Sequence, residues 1–279
     1  MDDSAFDREY PHSSVDGLPC RKSGTWAREK LRYLEKYMDI VNVSMKGKWD
    51  GRAYLDLLAG PGRCKDGEGE FDGSPLVALK QRTPFTAHVF VEDHPRLAAA
   101  LRARVAGRAP VVEGNCNEAR VIEALRAPFS GKILGLAFID NLGLDVAFDT
   151  IAALTRGLPI DLCITFQTGD LQRNVSLALS GEQRTDRWDS FFRPGWRLVA
   201  ERAAKQNLSG SEIASTLLEY YGQQLGLLGY DHIGHIQNTM RNDKGVPLYR
   251  LLLASRHPRG KEFFEKIAKI GPWGQREMF

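Results

Sequence analysis

The chain has 279 residues, of which 43% are hydrophobic and 26% are charged, and its formal net charge is +3. These values are typical of a globular protein and exclude disordered, collagen-like and low-complexity chains. No apolar run approaches the roughly 20 residues of a membrane helix, and the acidic, polar first residues do not form a secretory signal. We therefore expect a cytoplasmic protein that does not contact a membrane.

The cysteines and histidines do not form a pattern typical of a disulfide or metal site. No two cysteines lie at metal-ligand spacing, so we interpret all four as small, reduced hydrophobic residues: Cys20, Cys64, Cys116 and Cys163. His232 and His235 have H-x-x-H spacing without a third ligand nearby, and we predict no metal. The absence of G-x-S-x-G, H-E-x-x-H and P-loop motifs disfavours serine hydrolases, zinc peptidases and P-loop nucleotidases.

The predicted elements alternate between strand and helix along the chain. Residues 1–24 are rich in Asp, Ser, Pro and Gly and are expected to form a loosely ordered leader, whereas residues 26–43 predict a helix. Short apolar runs predict strands at 53–60, 86–93, 110–114, 132–140 and 160–167. Helices are predicted at 75–80, 94–106, 117–127 and 147–157, the first capped by Ser74 and begun by Pro75, after a loop at 60–75.

This alternation predicts a doubly wound α/β fold with a mainly parallel sheet of the Rossmann-like type. Residues 171–240 break the pattern, and we predict a helical insertion there. A last strand and helix follow within residues 246–270. Residues 25–279 are therefore expected to form one domain.

The most informative segment is YLDLLAGPG, at the end of the first predicted parallel strand. Asp56, Gly60 and Gly62 form the pattern D-x-x-x-G-x-G, in which glycine permits a sharp turn and a close approach of ligand to backbone. The third glycine of a dinucleotide-binding G-x-G-x-x-G motif is missing. The pattern resembles the nucleotide-binding turn of class I S-adenosylmethionine methyltransferases. The alternative is a tight strand-to-helix turn without a ligand.

Three polar residues end the next predicted strands. Glu92, Asn115 and Asp140 follow the second, third and fourth strands, respectively. Because ligands of such folds lie beyond the carboxyl ends of the strands, these side chains are expected to surround one site. The structural alternatives are a surface carboxylate for Glu92, a turn residue for Asn115, and a turn or helix N-cap for Asp140.

Several segments together resemble the three-Cys-motif partner (TcmP) family. They are VDGLP, the spacing W-x-x-x-K-x-x-x-L-x-x-Y from Trp26, LDLLAGPGRCKDGEGEFDGSPLVAL, GNCNE, FIDNLG and PLYRLLLASRHPRG. The resemblance implies a fold and cofactor similar to those of S-adenosylmethionine-dependent methyltransferases. The three cysteines of the family name belong to a companion protein, so the resemblance also implies such a partner.

The resemblance implies roles for residues of this chain. Asp56 would face the cationic amino-acid end of S-adenosylmethionine, Glu92 its ribose and Asn115 its adenine, and the turn would complete the cofactor site with Ala59, Gly60, Pro61 and Gly62. Asp140 and Asn141 are the predicted catalytic residues, with Asp140 positioning the acceptor or acting as general base. The predicted substrate-binding residues are Lys30, Arg63, Lys65 and Arg173.

Three functional hypotheses follow. The first is a methyltransferase acting on a nucleic acid or a nucleotide-containing acceptor. The second is a cofactor-binding accessory partner of a radical-chemistry or DNA-repair enzyme, because Asp140-Asn141-Leu142-Gly143 lacks the two prolines and the aromatic residue of D-P-P-[YF] amino-methyltransferases.

The third hypothesis is a DNA- or RNA-binding module. Residues 241–269 hold eight Lys and Arg against three Asp and Glu, and residues 184–202 are also rich in arginine. Among those arginines lie four aromatic residues with the spacing to stack on bases, or alternatively to pack in the core: Trp188, Phe191, Phe192 and Trp196.

Overall fold

The computed structural model describes residues 3–182, 185–235, 240–242 and 244–270. Its strands are β1 (Arg21–Lys22), β2 (Gly51–Asp56), β3 (Arg63–Asp66), β4 (Gly69–Asp72), β5 (Ala87–Glu92), β6 (Val111–Glu113), β7 (Ile133–Ile139), β8 (Ile160–Phe166), β9 (His232–His235), β10 (Met240–Arg241) and β11 (Pro247–Ser255). Its helices are α1 (Asp3–Glu9), α2 (Thr25–Met45), α3 (Ser74–Leu79), α4 (Pro95–Val105), α5 (Ala119–Arg126), α6 (Phe148–Thr155), α7 (Thr168–Ser180), α8 (Asp186–Phe192), α9 (Trp196–Lys205), α10 (Gly210–Gly226) and α11 (Pro258–Ile270).

The large sheet has the strand order β10-β11-β8-β7-β2-β5-β6, and β9 also pairs with β11. Strands β6, β5, β2, β7 and β8 are parallel, whereas β11 runs antiparallel to β8. The chain leaves β2 toward β5 and β6 and then returns to β7 on the other side, which is the strand order of a doubly wound Rossmann-like sheet. The predicted fold class is therefore confirmed.

The sheet is covered on both faces because its strands are apolar on both. Tyr54 and Phe138 pack against the layer of α2, α3, α4 and α11, whereas Leu55 and Ile139 pack against α5 to α10. Successive side chains of a strand point to opposite faces, so a strand buried on both sides reads as a continuous apolar run. The carboxyl ends of the parallel strands remain uncovered by either helical layer and can hold a site.

Helices α8 to α10 lie within the segment 171–240, where a helical insertion was predicted, and α7 begins three residues before it. The four aromatic residues considered for base stacking are at most 3% exposed: Trp188, Phe191, Phe192 and Trp196. The Phe191 ring stacks on Tyr221 at 4.7 Å between centroids, and the Trp196 indole donates to Asp189 Oδ1 at 2.8 Å. Of the two roles considered for these rings, packing in the core is the one observed: they belong to the hydrophobic core between the sheet and helices α5 to α10. Residues 236–239, just before the predicted end of the insertion at residue 240, lie outside the described part of the chain. Arg184 lies outside it as well.

The described part of the leader differs from the loosely ordered segment that was expected. It contains α1 and β1, and Phe6 and Cys20 are buried. Arg104 anchors it, donating from Nε to Asp16 Oδ2 at 2.8 Å and from Nη1 to the Pro19 carbonyl at 2.7 Å. Contacts with a residue more than 80 positions away order this segment, and local composition does not reveal them.

Residues 60–75 are not the simple loop that was predicted. Strands β3 and β4 form a hairpin here, and β1 pairs with β3 to give a second, three-stranded sheet. The cap of α3 is Gly73 rather than Ser74, and Ser74 begins the helix instead. The polar and glycine-rich composition of the hairpin indicated a loop because its strands lack an apolar face.

Two other features bear on the sequence-based expectations. His232 and His235 lie on β9, and the described residues contain no group of three or more His, Cys, Asp or Glu side chains that could hold a metal ion. None of the helices in the described ranges is long and apolar enough to cross a membrane.

We expect Phe192→Ala to lower the free energy of unfolding by about 3–5 kcal/mol, because it leaves a cavity in the aromatic core of the insertion. Leu227→Ala, at a residue that is 76% exposed, should change it by less than about 0.5 kcal/mol. Chemical denaturation of both variants measures this difference. Equal, small losses would contradict the burial of Phe192.

Candidate active site

Two cavities adjoin one another beyond the carboxyl ends of β2, β5, β6 and β7. The larger has a volume of about 660 Å³ and the smaller about 240 Å³. Four residues line both cavities and therefore mark their junction: Arg21, Leu58, Asp140 and Leu142. The combined space is within the range of small-molecule and cofactor sites, and it lies where doubly wound sheets bind ligands.

The glycine turn after β2 forms one wall of the smaller cavity. Gly60 and Gly62 have φ values of +64° and +86°, a left-handed conformation that glycine adopts without strain. A Cβ on Gly62 would lie 2.8 Å from Leu101, and one on Gly60 would have only the Arg21 guanidinium within 4 Å. Ala59 and Pro61 line the same wall. The turn thus exposes backbone to the cavity, as the sequence pattern predicts.

Glu92 connects the glycine turn to the larger cavity, which it lines. Its Oε2 accepts a hydrogen bond from the Gly60 N–H at 2.8 Å, and its Oε1 accepts one from the His94 N–H at 2.9 Å. Burial raises the pKa of Glu92 to about 7, although the His94 N–H opposes this shift. The end of β5 therefore presents a carboxyl group whose position is fixed by two backbone donors.

Asp56 is not among the described residues that line either cavity. It is fully buried beside the turn, where its Oδ2 accepts from the Tyr54 hydroxyl at 3.1 Å and its Oδ1 has no partner among the described residues. Burial raises the pKa of Asp56 to about 7, opposed by the hydroxyl groups of Ser74 and Tyr54. The structure therefore places this predicted cofactor-binding carboxylate behind the cavity wall.

Asp140 lies at the junction of the two cavities and is paired with Lys30 from α2. The Lys30 Nζ lies 2.6 Å from Oδ1 and 2.5 Å from Oδ2, and the Thr165 hydroxyl donates to Oδ1 at 2.8 Å. Burial alone would raise the pKa of Asp140, but Lys30 and then Arg21 outweigh it and hold the pKa below its usual range. Asp140 is thus an ionised carboxylate with two donors already bound.

Asn141 is buried and lines the smaller cavity. Its side-chain oxygen accepts from the Val146 N–H at 3.2 Å, and its backbone carbonyl accepts from the Gln167 amide. Its Nδ2 has no acceptor among the described residues. These contacts hold the loop after β7 in the place where both predicted catalytic residues reach the cavity.

Asn115 is exposed at the end of β6 and lines the larger cavity. Its Oδ1 accepts from the Asn117 N–H at 2.9 Å, which closes a local turn. Asn117 in turn accepts from the Thr150 hydroxyl at 2.7 Å and so connects this turn to α6. Asn115 therefore has both the turn role considered for it and a position at the cavity.

Three of the four predicted substrate-binding residues do not lie on either cavity wall. Arg63 and Lys65 are on β3 of the small sheet, where Arg63 approaches Asp72 at 3.8 Å. Arg173 is exposed on α7 and pairs with Asp170 at 3.7 Å. Lys30 alone among the four lines a cavity. Arg63 and Lys65 thus belong to the β3–β4 hairpin and not to the cavity walls, because β3 pairs with β4 and β1 in the small sheet.

Sequence reasoning missed several cavity residues, two of which lie in the leader. Arg21 lines both cavities, Tyr10 lines the larger one, and Trp26 and Tyr249 line the smaller one. Tyr249 donates its hydroxyl to the Trp26 carbonyl at 3.1 Å, so β11 and α2 meet at this wall. The sequence signals for three of them were family-like segments: VDGLP lies close to Arg21, the W-x-x-x-K spacing starts at Trp26, and PLYRLLLASRHPRG contains Tyr249.

The two cavities differ in charge. Five carboxyl groups and two guanidinium groups line the larger one: Glu92, Asp93, Asp140, Asp145 and Asp186, with Arg21 and Arg187. The smaller one holds three cations and one carboxylate: Arg21, Lys22, Lys30 and Asp140. Opposite charges are favoured in each, so the larger cavity suits a cationic ligand and the smaller one an anionic group.

We expect Lys30→Met to lower the free energy of unfolding by about 3 kcal/mol, because it leaves the Asp140 carboxylate without its cation. The loss of unfolding free energy in the double variant Lys30→Met/Asp140→Asn should be smaller than the sum of the two single losses by at least about 1 kcal/mol. A coupling energy of this size is usual for residues in contact. The exposed pair Lys261 and Glu265, 3.8 Å apart, serves as control and should show a coupling below about 0.5 kcal/mol. Additive effects at Lys30 and Asp140 would contradict the pairing.

Comparison with protein families and with curated proteins gives no match. Solved structures do match over most of the chain. The O-methyltransferase from Bacillus cereus in complex with SAH is 11% identical with a TM-score of 0.41, covering 80% of this chain and 80% of that one. The O-methyltransferase TomG from Streptomyces achromogenes, in complex with SAM, is 11% identical with a TM-score of 0.40, covering 91% and 99%. Protein LPL1258 from Legionella pneumophila is 11% identical with a TM-score of 0.48, covering 87% and 92%.

Proposed function

We propose that the chain binds S-adenosylmethionine in the larger cavity and transfers its methyl group to an acceptor in the smaller one. The observation that carries this proposal is the meeting of the two cavities at Asp140, beyond the glycine turn and at the switch point of the sheet. A transfer reaction needs two ligands side by side with their reacting atoms aligned. The adjoining cavities supply that arrangement.

The residues of the larger cavity fit an adenosyl ligand. The Glu92 carboxylate can accept hydrogen bonds from both ribose hydroxyls, and its orientation is fixed by the N–H groups of Gly60 and His94. The Asn115 amide can donate to an adenine nitrogen while its oxygen stays bound to Asn117. The acidic lining favours a sulfonium ligand. Asp56 acts behind the turn, where its carboxyl group supports Tyr54 and Ser74.

S-adenosylmethionine supplies a methyl group already activated by its sulfonium, so the residues of the chain orient the acceptor and exclude water. Asp140 accepts a hydrogen bond from the acceptor at the junction, while Lys30 keeps it ionised and Thr165 fixes its direction. A carboxylate with a lowered pKa is a weak base. We therefore assign Asp140 to positioning the acceptor rather than to removing its proton, and Asn141 to shaping the same wall.

We further propose a nucleic acid or nucleotide-containing acceptor and a companion protein of the three-Cys-motif type. Both follow from the resemblance to the TcmP family. The eight Lys and Arg of residues 241–269 support the first, because cationic side chains attract the phosphates of a nucleic acid. If the chain belongs to that family, its companion protein would be the one that carries the three cysteines of the family name.

A second candidate function is a cofactor-binding partner that transfers no methyl group. The pairing of Lys30 with Asp140 favours it, because both carboxylate oxygens already have donors. The sequence after Asp140 also lacks the prolines and aromatic residue of D-P-P-[YF] sites. In this case the cofactor would bind as proposed while no acceptor gained a methyl group.

Isothermal titration calorimetry with S-adenosylmethionine and S-adenosylhomocysteine tests the cofactor proposal. At a pH well above the Glu92 pKa of about 7, where this group is ionised, we expect the wild type to bind both, and Glu92→Gln to weaken binding at least tenfold, because an amide cannot accept from both ribose hydroxyls with the strength of a carboxylate. Glu123→Gln, at an exposed residue of α5, is the matched control and should bind like the wild type. Absence of wild-type binding at millimolar cofactor would refute the proposal.

The same preparation separates the two candidate functions. Incubation with methyl-labelled S-adenosylmethionine and with total RNA, DNA or nucleotides should label one acceptor if the chain is a methyltransferase. Cofactor binding without labelled acceptor, together with retention of a companion protein on purification, would favour the accessory function.

A further inference from the structure

We propose that Arg21 and Lys22 form the binding site for an anionic group of the methyl acceptor, a carboxylate or a phosphate. This inference rests on the proposed function and names the chemical class of its second ligand. No role was predicted for either residue from the sequence. The site lies at the junction of the cavities and extends into the smaller one.

The guanidinium of Arg21 is half-buried at the junction of the two cavities and has no ion-pair partner in the described ranges, although half-buried charges are usually paired. Its guanidinium makes no hydrogen bond or ion pair with any residue in the described ranges, and the same holds for the Lys22 ammonium. Arg21 is half-buried on β1, held in place by the pairing of β1 with β3 at Cys64. A half-buried guanidinium that lines two cavities and has no hydrogen-bond or ion-pair contact in the described ranges can bind an anion.

The surroundings of Arg21 leave it available to a ligand. The nearest backbone is the glycine turn, where a Cβ built on Gly60 would lie 3.8 Å from Nη1. Asp140 is the one carboxylate on the described wall of the smaller cavity, and Lys30 holds both of its oxygens. Two cations therefore remain unpaired in that cavity. The guanidinium plane suits the paired oxygens of a carboxylate or phosphate.

The walls of the smaller cavity also indicate the shape of the acceptor. Trp26 and Tyr249 line it, and the Tyr249 hydroxyl is bound to the Trp26 carbonyl at 3.1 Å, so its ring is held in position. Aromatic side chains in a cavity wall favour a ligand with a flat, apolar body. Together with Arg21 and Lys22, they describe a planar acceptor that carries an anionic group.

The cofactor has a carboxylate of its own, which shares the chemistry of the proposed ligand. The charges of the two cavities favour the acceptor, rather than the cofactor, as the molecule whose anionic group binds Arg21. The unpaired cations line the smaller cavity, whereas the larger cavity, assigned to the cofactor, holds more carboxyl groups than guanidinium groups. Because Arg21 lines both cavities, one arm of the experiment compares two nucleosides that differ in this carboxylate.

The experiment is calorimetry with small probes on the full chain, with and without saturating S-adenosylhomocysteine. Benzoate and phenyl phosphate should bind the wild type at least tenfold more tightly than neutral benzamide. Arg21→Gln should reduce this preference to less than threefold, and Lys22→Gln should reduce it by a smaller factor. Arg82→Gln, at an exposed arginine outside both cavity walls, is the matched control and should keep the wild-type preference. Thermal unfolding verifies that each variant is folded.

Three results would overturn the inference. The first is equally tight binding of benzamide and benzoate by the wild type, and the second is a full preference for anions in Arg21→Gln. The third is a loss of at least tenfold in S-adenosylhomocysteine binding by Arg21→Gln with no change for 5′-methylthioadenosine, which lacks the amino-acid group and its carboxylate; Arg21 would then hold the cofactor. Failure of the wild type to bind S-adenosylhomocysteine instead refutes the proposed function, and the anion arm without cofactor remains a separate measurement.

Discussion

The ion pair between Lys30 and Asp140 joins the long N-terminal helix to the end of a central strand, at the point where the two cavities meet. Both charges lie largely out of water, at 9% and 16% side-chain exposure, so neither is stable there without the other. The pair therefore joins α2 to the end of β7, in addition to the apolar face that α2 buries. It also determines that Asp140 is a carboxylate with fixed direction, which limits the chemistry available at the junction to hydrogen bonding and electrostatic orientation.

The leader completes the site that the sheet begins. Arg104 on α4 binds Asp16 and the Pro19 carbonyl in the leader and the Pro61 carbonyl in the glycine turn, all within 2.8 Å. One guanidinium thus connects the turn to the segment that carries Arg21. The cavity wall is thus assembled from parts of the chain far apart in sequence, and β1, which carries Arg21, pairs with β3.

The fold was predictable because its signals are local. Five apolar runs alternating with amphipathic helices specify a parallel sheet, and D-x-x-x-G-x-G marks the turn after β2. Glu92, Asn115 and Asp140 lie at the cavity walls for the same reason, since parallel strands end at one edge. The sequence did not reveal the β3–β4 hairpin, the order of the leader or the place of Arg21, because long-range contacts of polar residues create all three. Burial likewise separates Asp56 from the cavity despite its place in the motif.

The central claim is that an adenosyl ligand occupies the larger cavity, beside the Glu92 carboxyl group that accepts a hydrogen bond from the Gly60 N–H. A crystal structure of the protein grown with S-adenosylhomocysteine tests it most directly. The account predicts the ribose hydroxyls at the Glu92 carboxylate and the sulfur at the junction beside Asp140. A nucleoside bound elsewhere, or no ligand in that cavity at a concentration that saturates binding in solution, would contradict it.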